Sequence, residues 1–276
     1  MQTGSDIAGL ERRAATIRRH IIEVATEHMC HAGGALSAAD VMAALYFGVM
    51  NVDPKDPARP DRDYFILSKG HGSLALFATL SERGFFPVSM LASFEQAGSI
   101  LAGHPTLKVP GVELATGSLG HGLPVATGVA LACKASGDAN RVFVMMGDGE
   151  LQEGSVWEAA LAAPRFALDN LTAIIDRNGF QAFGEVERIM PLEPLADKWR
   201  SFGWRDIEID GNDMAQVVAA LESASGGPKA GRPMAIVAHT VKGKGVPCLE
   251  NTPRAHYTRL TPEEAAEGLR GLEVAP

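Results

Sequence analysis

The chain has 276 residues, of which 46% are hydrophobic and 21% charged, and its formal net charge is −8. It has no basic cluster that would indicate a nucleic-acid partner or an anionic membrane, and its longest nearly apolar run, residues 41–50, is too short to span a bilayer. Its three cysteines are far apart, which excludes a disulfide framework or zinc ribbon and is typical of the reducing cytoplasm. We therefore predict one cytoplasmic domain over residues 1–276, with flexible ends at 1–6 and 262–276.

The first predicted elements are two helices separated by a glycine pair. Residues 7–28 carry apolar side chains at spacings of three and four, which predicts an amphipathic helix that ends before Gly33 and Gly34. Ser37 followed by Asp40 predicts the N-terminal cap of a second helix, which runs to about residue 48. The next elements are a surface loop, a buried strand and a helix, over residues 51–63, 64–67 and 74–83.

The second half of the chain alternates between apolar strands and helices. A glycine-rich segment over residues 102–122 leads into a helix that ends near residue 136. Continuous apolar strands that alternate with helices indicate a parallel sheet covered on both faces, so we predict a doubly wound α/β fold with a mostly parallel sheet. The remaining strands are predicted at residues 141–146, 171–176, 206–209 and 234–239, and the remaining helices at residues 154–167 and 214–225.

Two polar motifs follow neighbouring predicted strands, at the end of the sheet where ligands of such folds bind. Gly147-Asp148-Gly149 follows the strand over 141–146, and Asn178 lies thirty residues beyond Asp148, after the next strand. One carboxylate and one amide oxygen form a donor set suited to Mg²⁺ or Ca²⁺, provided that phosphate oxygens of a ligand complete the shell. Each motif alone is equally consistent with a simple turn, whereas the pair at this spacing is more specific.

Histidines in loop-like segments give a third signal. Imidazoles among glycines have little packing to justify them, and loop residues on a rigid scaffold often carry function. Any one of them could be a solvated or structurally bonded imidazole, but several together favour a polar site for hydroxyl groups, protons or diphosphate oxygens. The five histidines in segments that contain glycine or proline are His31, His71, His104, His121 and His256.

These motifs together resemble the transketolase family of thiamine diphosphate enzymes. The segment from Gly147 to Gly154, followed by Asp176-Arg177-Asn178, is similar to the thiamine diphosphate motif. The resemblance extends from about His31 to His256 and implies the thiamine diphosphate-binding fold, as a domain of the diphosphate-binding type. Other similar stretches, in the family's order, are His31–Gly34, Ser68–Gly72, Gly103–Pro105 and Thr116–Gly122.

The resemblance also implies a role for each matching residue. The metal, Mg²⁺ or Ca²⁺, would be held by Asp148, Asn178 and the backbone carbonyl of Phe180. The catalytic histidines would be His31, His71, His104 and His256. The residues that would bind thiamine diphosphate are His71, Gly117, Ser118, Leu119, Gly147, Asp148, Gly149, Glu150 and Asn178.

The chain departs from the family pattern near two of these histidines. Tyr257 follows His256 at a position where the family usually has a glycine or another small residue. Cys30 and Ala32 replace the usual glycine and proline on either side of His31.

The function implied by the resemblance is transfer of a two-carbon ketol unit from a ketose to an aldose, with or without phosphate groups. In this family a glutamate of a second, pyrimidine-binding domain activates the cofactor, and no matching motif occurs before Pro276. We therefore expect the N-terminal subunit of a split transketolase, inactive alone, with a separate C-terminal subunit that supplies the glutamate. Glu153 is expected at the interface, and the assembly is expected to be a dimer of heterodimers.

Two other functions stay open at this point. The chain could be half of another thiamine diphosphate enzyme, similar to deoxyxylulose-phosphate synthase or to the E1 component of a 2-oxoacid dehydrogenase, or a non-catalytic subunit of the same fold. His31, His71 and His104 favour a sugar enzyme, because 2-oxo acids do not need several hydroxyl partners. Asp148 and Asn178 are both present, which argues against a subunit that has lost catalysis.

Overall fold

The computed structural model describes residues 6–225 and 231–273, and within them five strands form a wholly parallel sheet. The strands lie in the spatial order β1-β2-β3-β7-β6, which is the expected doubly wound α/β arrangement. A small antiparallel pair, β4 and β5, stands apart from this sheet. The strands are β1 (Tyr64–Leu67), β2 (Val142–Gly147), β3 (Leu171–Arg177), β4 (Phe180–Gln181), β5 (Gly184–Glu185), β6 (Arg205–Asp210) and β7 (Met234–His239).

Helices cover both faces of the sheet. Successive strand residues point to opposite faces, and because the central strands are apolar throughout, both faces are buried. On β2, Phe143 and Met145 pack into one apolar core, and Val144 and Met146 pack into the other. The helices are α1 (Ile7–Glu27), α2 (Ala32–Ala44), α3 (Ser73–Arg83), α4 (Gly122–Ser136), α5 (Gly154–Arg165), α6 (Val186–Ile189), α7 (Leu195–Ser201), α8 (Met214–Ser225) and α9 (Pro262–Glu273). The first core is completed by α1, α2, α3 and α8, and the second by α4, α5 and α7.

The start of α2 differs from the sequence prediction. The helix begins at Ala32 and includes Gly33 and Gly34, so Ser37 lies inside it and does not cap it. Ser37 is buried and donates a hydrogen bond of 2.8 Å to Asp176, while Asp40 forms a buried ion pair with Arg18. The capping pattern is misleading because both side chains have partners far away in the sequence.

A π-helical turn, Leu45–Val49, extends α2 into a longer apolar helix than the sequence run suggests. By length and composition, Ala32–Val49 could cross a membrane, but 83% of it is buried inside the domain. A helix enclosed in this way by its own domain is a core helix.

The carboxyl-terminal segment also differs from its prediction. Residues 262–273 form α9 where a flexible end is expected from the sequence, and Ala265 is buried against the first core with Leu269 and Leu272 beside it. Their spacing of four and three residues is an amphipathic pattern that the prediction does not take into account. At the other end, Asp6 caps α1 by accepting a hydrogen bond from the Gly9 N–H, and residues 1–5 and 274–276 lie outside the described residues.

Because Gly33 has no side chain, the segment that contains Ala255 can pack closely against α2. A Cβ at Gly33 would lie 2.5 Å from the carbonyl oxygen of Ala255, which is closer than atoms in proteins pack. We therefore expect Gly33→Ala to destabilise the chain by about 1–3 kcal/mol through overpacking, measured by urea denaturation. Gly128→Ala is the matched control, because a Cβ there meets nothing within 4 Å and should stabilise α4 by about 0.5–1 kcal/mol. Equal effects of the two substitutions would contradict this explanation.

Candidate functional site

A cavity of about 220 Å³ lies at the carboxyl ends of β1, β2, β3 and β7. It is the position at which open parallel sheets bind their ligands. His104 and Ser118 are not among the lining residues, and Ser118 is exposed. The residues proposed from sequence that do line the cavity are His31, His71, Gly117, Leu119, Gly147, Asp148, Gly149, Glu150, Asn178, Phe180 and His256.

Asp148 stands at one wall of the cavity, directly after β2. Its carboxylate is buried and accepts hydrogen bonds from the N–H groups of Gly149 (2.7 Å) and Gly179 (2.6 Å), with the Arg177 guanidinium at 3.3 Å. Burial, together with the negative charge of Asp176, raises the pKa of Asp148. A bound cation would relieve this penalty on the charged carboxylate.

Asn178 and Phe180 bring two more oxygen atoms to the same cavity. The Asn178 side-chain amide donates an N–H to Asp176 at 2.8 Å. Its oxygen therefore points the other way, and it accepts a hydrogen bond from the Phe180 N–H at 3.1 Å. The Phe180 carbonyl already accepts a hydrogen bond from the Lys242 ammonium at 2.8 Å, so this oxygen is placed to receive a positive charge.

These three donors fit a hard metal ion whose shell is completed by a ligand. Asp148, Asn178 and the Phe180 carbonyl offer only oxygen atoms, which suits Mg²⁺ or Ca²⁺. Over residues 6–225 and 231–273, no group of three or more His, Cys, Asp and Glu side chains could hold a metal ion. The oxygen set therefore needs further oxygens from outside the chain, such as those of a diphosphate.

A buried ion pair supports the floor of the cavity. Asp176 is fully buried, and its carboxylate accepts hydrogen bonds from Lys69 (2.5 Å), Ser37 (2.8 Å) and Thr240 (2.5 Å). Burial opposes the charge of this carboxylate, but the Lys69 ammonium and the hydrogen bonds lower the pKa of Asp176 below its ordinary value. Because Asn178 bonds to the same carboxylate, the network fixes the orientation of that predicted metal ligand.

Glu150 fastens two loops together beside the cavity. Its carboxylate accepts hydrogen bonds from the Ser68 hydroxyl and from the N–H groups of Gly120 (2.9 Å) and Gly147 (3.2 Å). These bonds hold the 117–120 loop against the ends of β1 and β2. The geometry therefore supports a positioning role for Glu150, while direct contact with a cofactor stays a prediction.

Four histidines form one cluster at the cavity. The ring of His31 lies 5.3 Å from that of His71, 5.2 Å from that of His256 and 6.0 Å from that of His104, between ring centroids. His104 also packs against Gly117, on the loop that lines the cavity. The structure thus brings together residues from four separate segments of the chain, of which His104 is exposed. His121 is also exposed, and its ring lies 3.1 Å from the Leu119 carbonyl oxygen.

Burial keeps three of these imidazoles, those of His31, His71 and His256, uncharged near neutral pH. Burial, then the charges of neighbouring groups including Lys242, lowers the pKa of His31 and of His256 to about 4. The pKa of His71 is also well below its ordinary value, chiefly because of burial and then because of Lys69. A neutral imidazole can donate one hydrogen bond to a hydroxyl group and accept another from a hydroxyl group.

Two lysines in the cavity are not identified from the sequence. Lys69 is 1% exposed, and Lys242 is buried with its ammonium 3.2 Å from His256, while burial lowers its pKa to about 8. Lys242 gives the cavity a positive charge that suits a phosphate ligand, whereas the charge of Lys69 is balanced by Asp176. The feature of the sequence that could have identified these lysines is the glycine that follows each of them, Gly70 after β1 and Gly243 after β7. The other lining residues not identified from sequence are Gly34, Gln181 and Ala182.

Known proteins that are similar to this chain include transketolase subunits. The family model described as the transketolase, thiamine diphosphate binding domain, matches residues 11–274. An apulose-4-phosphate transketolase subunit of Actinobacillus succinogenes is 44% identical over 267 residues, which cover 96% of each chain. The 6-deoxy-6-sulfo-D-fructose transketolase subunit SqwG of Clostridium sp. is 41% identical over 266 residues, again 96% of each chain.

Solved transketolases have the same fold over a part of their length. The transketolase from Leishmania mexicana superposes with a TM-score of 0.88 at 29% identity, over 98% of this chain and 41% of that chain. The transketolase from Campylobacter jejuni gives a TM-score of 0.88 over 96% of this chain and 43% of that one. The chain therefore belongs to the transketolase family, in which it corresponds to the thiamine diphosphate-binding N-terminal domain.

Proposed function

We propose that this chain is the diphosphate-binding subunit of a two-chain transketolase, which transfers a two-carbon ketol unit from a ketose to an aldose. The observation that carries the proposal is one cavity in which Asp148 and Asn178, two lysines and a histidine cluster meet. Two relatives that match along almost their whole length are named as transketolase subunits, which favours this function over the other thiamine diphosphate enzymes considered.

Within this proposal, each wall of the cavity has a different task. Asp148, Asn178 and the Phe180 carbonyl would hold Mg²⁺ or Ca²⁺, and Lys242 would balance part of the remaining negative charge of the diphosphate. When bound, thiamine diphosphate supplies the carbanion chemistry of two-carbon transfer.

Two of the histidines, His31 and His256, would act on the sugar, and His71 would act on the diphosphate. His31 and His256 line the cavity as neutral imidazoles, so each can accept a proton from a sugar hydroxyl and, once protonated, return it to the sugar. His71 lies deeper, next to Lys69, and would donate its N–H to the diphosphate. His104 is placed beside Gly117, at the edge of the same cluster.

A second protein chain would complete the site. We propose that it supplies the catalytic glutamate, contacts Glu153, and pairs with this chain in a dimer of heterodimers. The carboxylates that line the described cavity, Asp148 and Glu150, are both occupied by hydrogen bonds from backbone N–H groups, so neither is free for that role. The substrates would be a ketose and an aldose that carry a terminal phosphate or a similar anionic group.

The test is a ketol-transfer assay on the purified chain, alone and together with the product of the neighbouring reading frame, with Mg²⁺ and thiamine diphosphate. We expect no transfer by either chain alone and transfer by the complex, which EDTA should remove. Transfer by this chain alone would contradict the shared active site. A complex that is inert towards every ketose but acts on pyruvate would contradict the transketolase function.

A further inference from the structure

Lys242 donates a hydrogen bond to an oxygen atom of the predicted metal set. Its ammonium lies 2.8 Å from the Phe180 carbonyl oxygen, which would also bind the metal ion. Mg²⁺ lies about 2.1 Å from its oxygen ligands, so an ion on this carbonyl would be no more than about 5 Å from the Lys242 nitrogen. Lys242 is 2% exposed, and in such a buried place the repulsion between an ammonium and a divalent cation is strong.

Lys242 differs from two nearby cations in the partners of its charged group. Lys69 forms an ion pair with Asp176, and Arg177 pairs with two glutamates, at 2.7 and 3.1 Å. The Lys242 ammonium instead contacts a carbonyl oxygen and, at 3.2 Å, the Nδ1 atom of His256, whose pKa is lowered to about 4 by burial, so that it is uncharged near neutral pH. Its positive charge is therefore available to a ligand of the cavity.

The cavity holds too little negative charge to bind a divalent ion well by itself. The charged side chains that line it are two carboxylates, Asp148 and Glu150, and two lysines, Lys69 and Lys242, so their formal charges cancel. Asp176 beneath them adds one negative charge, which is less than the two positive charges of Mg²⁺ or Ca²⁺. A diphosphate supplies the missing negative charge, because its oxygen atoms can bind the metal ion and also accept hydrogen bonds from the Lys242 ammonium.

We propose that Lys242 couples the two ligands of the cavity. Its ammonium weakens the binding of the metal ion alone and strengthens the binding of the diphosphate, so that the metal ion and the cofactor bind as a pair. This inference rests on the proposed function, because it takes the two ligands to be a divalent metal ion and thiamine diphosphate. Removal of the ammonium should therefore have opposite effects on the two ligands, whereas loss of a residue that only supports the fold would weaken both.

The experiment measures binding by calorimetry in the chain assembled with its partner, near neutral pH and below the pKa of Lys242. Lys242→Met keeps the length of the side chain and removes its charge. In this variant we expect Mg²⁺ without cofactor to bind at least about tenfold more tightly, and thiamine diphosphate without metal at least about tenfold more weakly. The factor by which Mg²⁺ tightens cofactor binding should fall, and by linkage the cofactor's effect on Mg²⁺ binding should fall equally.

The matched control is Lys244→Met, which makes the same substitution two residues further along the same loop. Lys244 is not among the residues that line this cavity, so both affinities and the coupling between them should stay native. Lys242→Arg keeps the positive charge and should keep the binding of Mg²⁺ alone weak. Circular dichroism checks that each variant is folded.

The other outcomes distinguish failure of this inference from failure of the proposed function. If Lys242→Met weakens the binding of Mg²⁺ and of the cofactor alike, or changes neither, Lys242 does not couple them. The coupling is also wrong if the native complex binds Mg²⁺ equally well with and without the cofactor. A native complex that binds no thiamine diphosphate in the presence of Mg²⁺ or Ca²⁺ overturns the proposed function itself, and the coupling with it.

Discussion

Replacing Asp148 with alanine is expected to abolish the metal-dependent binding of thiamine diphosphate to the assembled enzyme. Asp148 is the charged member of the predicted metal set, and its carboxylate is 2% exposed, so no water can substitute well for it. Residues behind a metal ligand typically cost roughly 10- to 100-fold in affinity when removed, and a ligand itself should cost more than about 100-fold. Calorimetric titration of the cofactor in Mg²⁺ and in EDTA measures the effect.

The control for this substitution is Asp197→Ala, which removes an exposed carboxylate on α7. It should leave cofactor affinity and its dependence on Mg²⁺ unchanged. Asn178→Ala tests the second ligand and should also weaken the metal-dependent part of binding. If Asp148→Ala is folded by circular dichroism and binds the cofactor with native affinity, the metal assignment is wrong.

Much of the fold can be predicted because its strands are apolar on both faces. β2 and β3 have no polar side chain in their central residues except Thr172, so their assignment does not depend on tertiary contacts. Their adjacency also follows from one crossover helix, α5, and the register pairs Gly147 with Asp176. This pairing is what brings Asp148 and Asn178 to one cavity, as the thirty-residue spacing predicts.

The incorrect predictions share a physical cause, which is that a local pattern has a distant partner. Ser37 and Asp40 look like a helix cap, but they bond to Asp176 and Arg18. The α9 segment has the sequence character of a flexible end, although its apolar residues pack on the first core. The β4–β5 pair is missed for a different reason, since strands of two residues carry no periodic signal.

Lys69 and Lys242 are not identified from the sequence because their partners, too, are distant along the chain. Lysine is almost never fully buried unless it is paired, and the partners of these two lie far along the chain. Lys69 bonds to Asp176, and Lys242 bonds to the Phe180 carbonyl. The motif that contains Lys69 is recognisable by its glycines and histidine, but only the structure shows that the lysine forms an ion pair with Asp176.

The Asp176 network leads to the largest expected change in stability. Asp176→Ala would leave the Lys69 ammonium, which is 1% exposed, with the Gly34 carbonyl as its remaining hydrogen-bond acceptor, at 2.7 Å. Breaking a buried ion pair by removing one partner costs about 3–5 kcal/mol of unfolding free energy. The Thr240 hydroxyl loses its acceptor in the same step, and the Ser37 hydroxyl keeps only the Gly34 carbonyl, at 3.3 Å. We therefore expect the upper part of this range in urea denaturation.

Asp169→Ala is the matched control, since it breaks a surface pair with Lys134 at 2.8 Å and should cost less than about 1 kcal/mol. The double variant Lys69→Met with Asp176→Leu should recover part of the loss, because apolar side chains of similar size need no partner. Equal costs for Asp176→Ala and Asp169→Ala would show that the buried carboxylate contributes no more than a surface one.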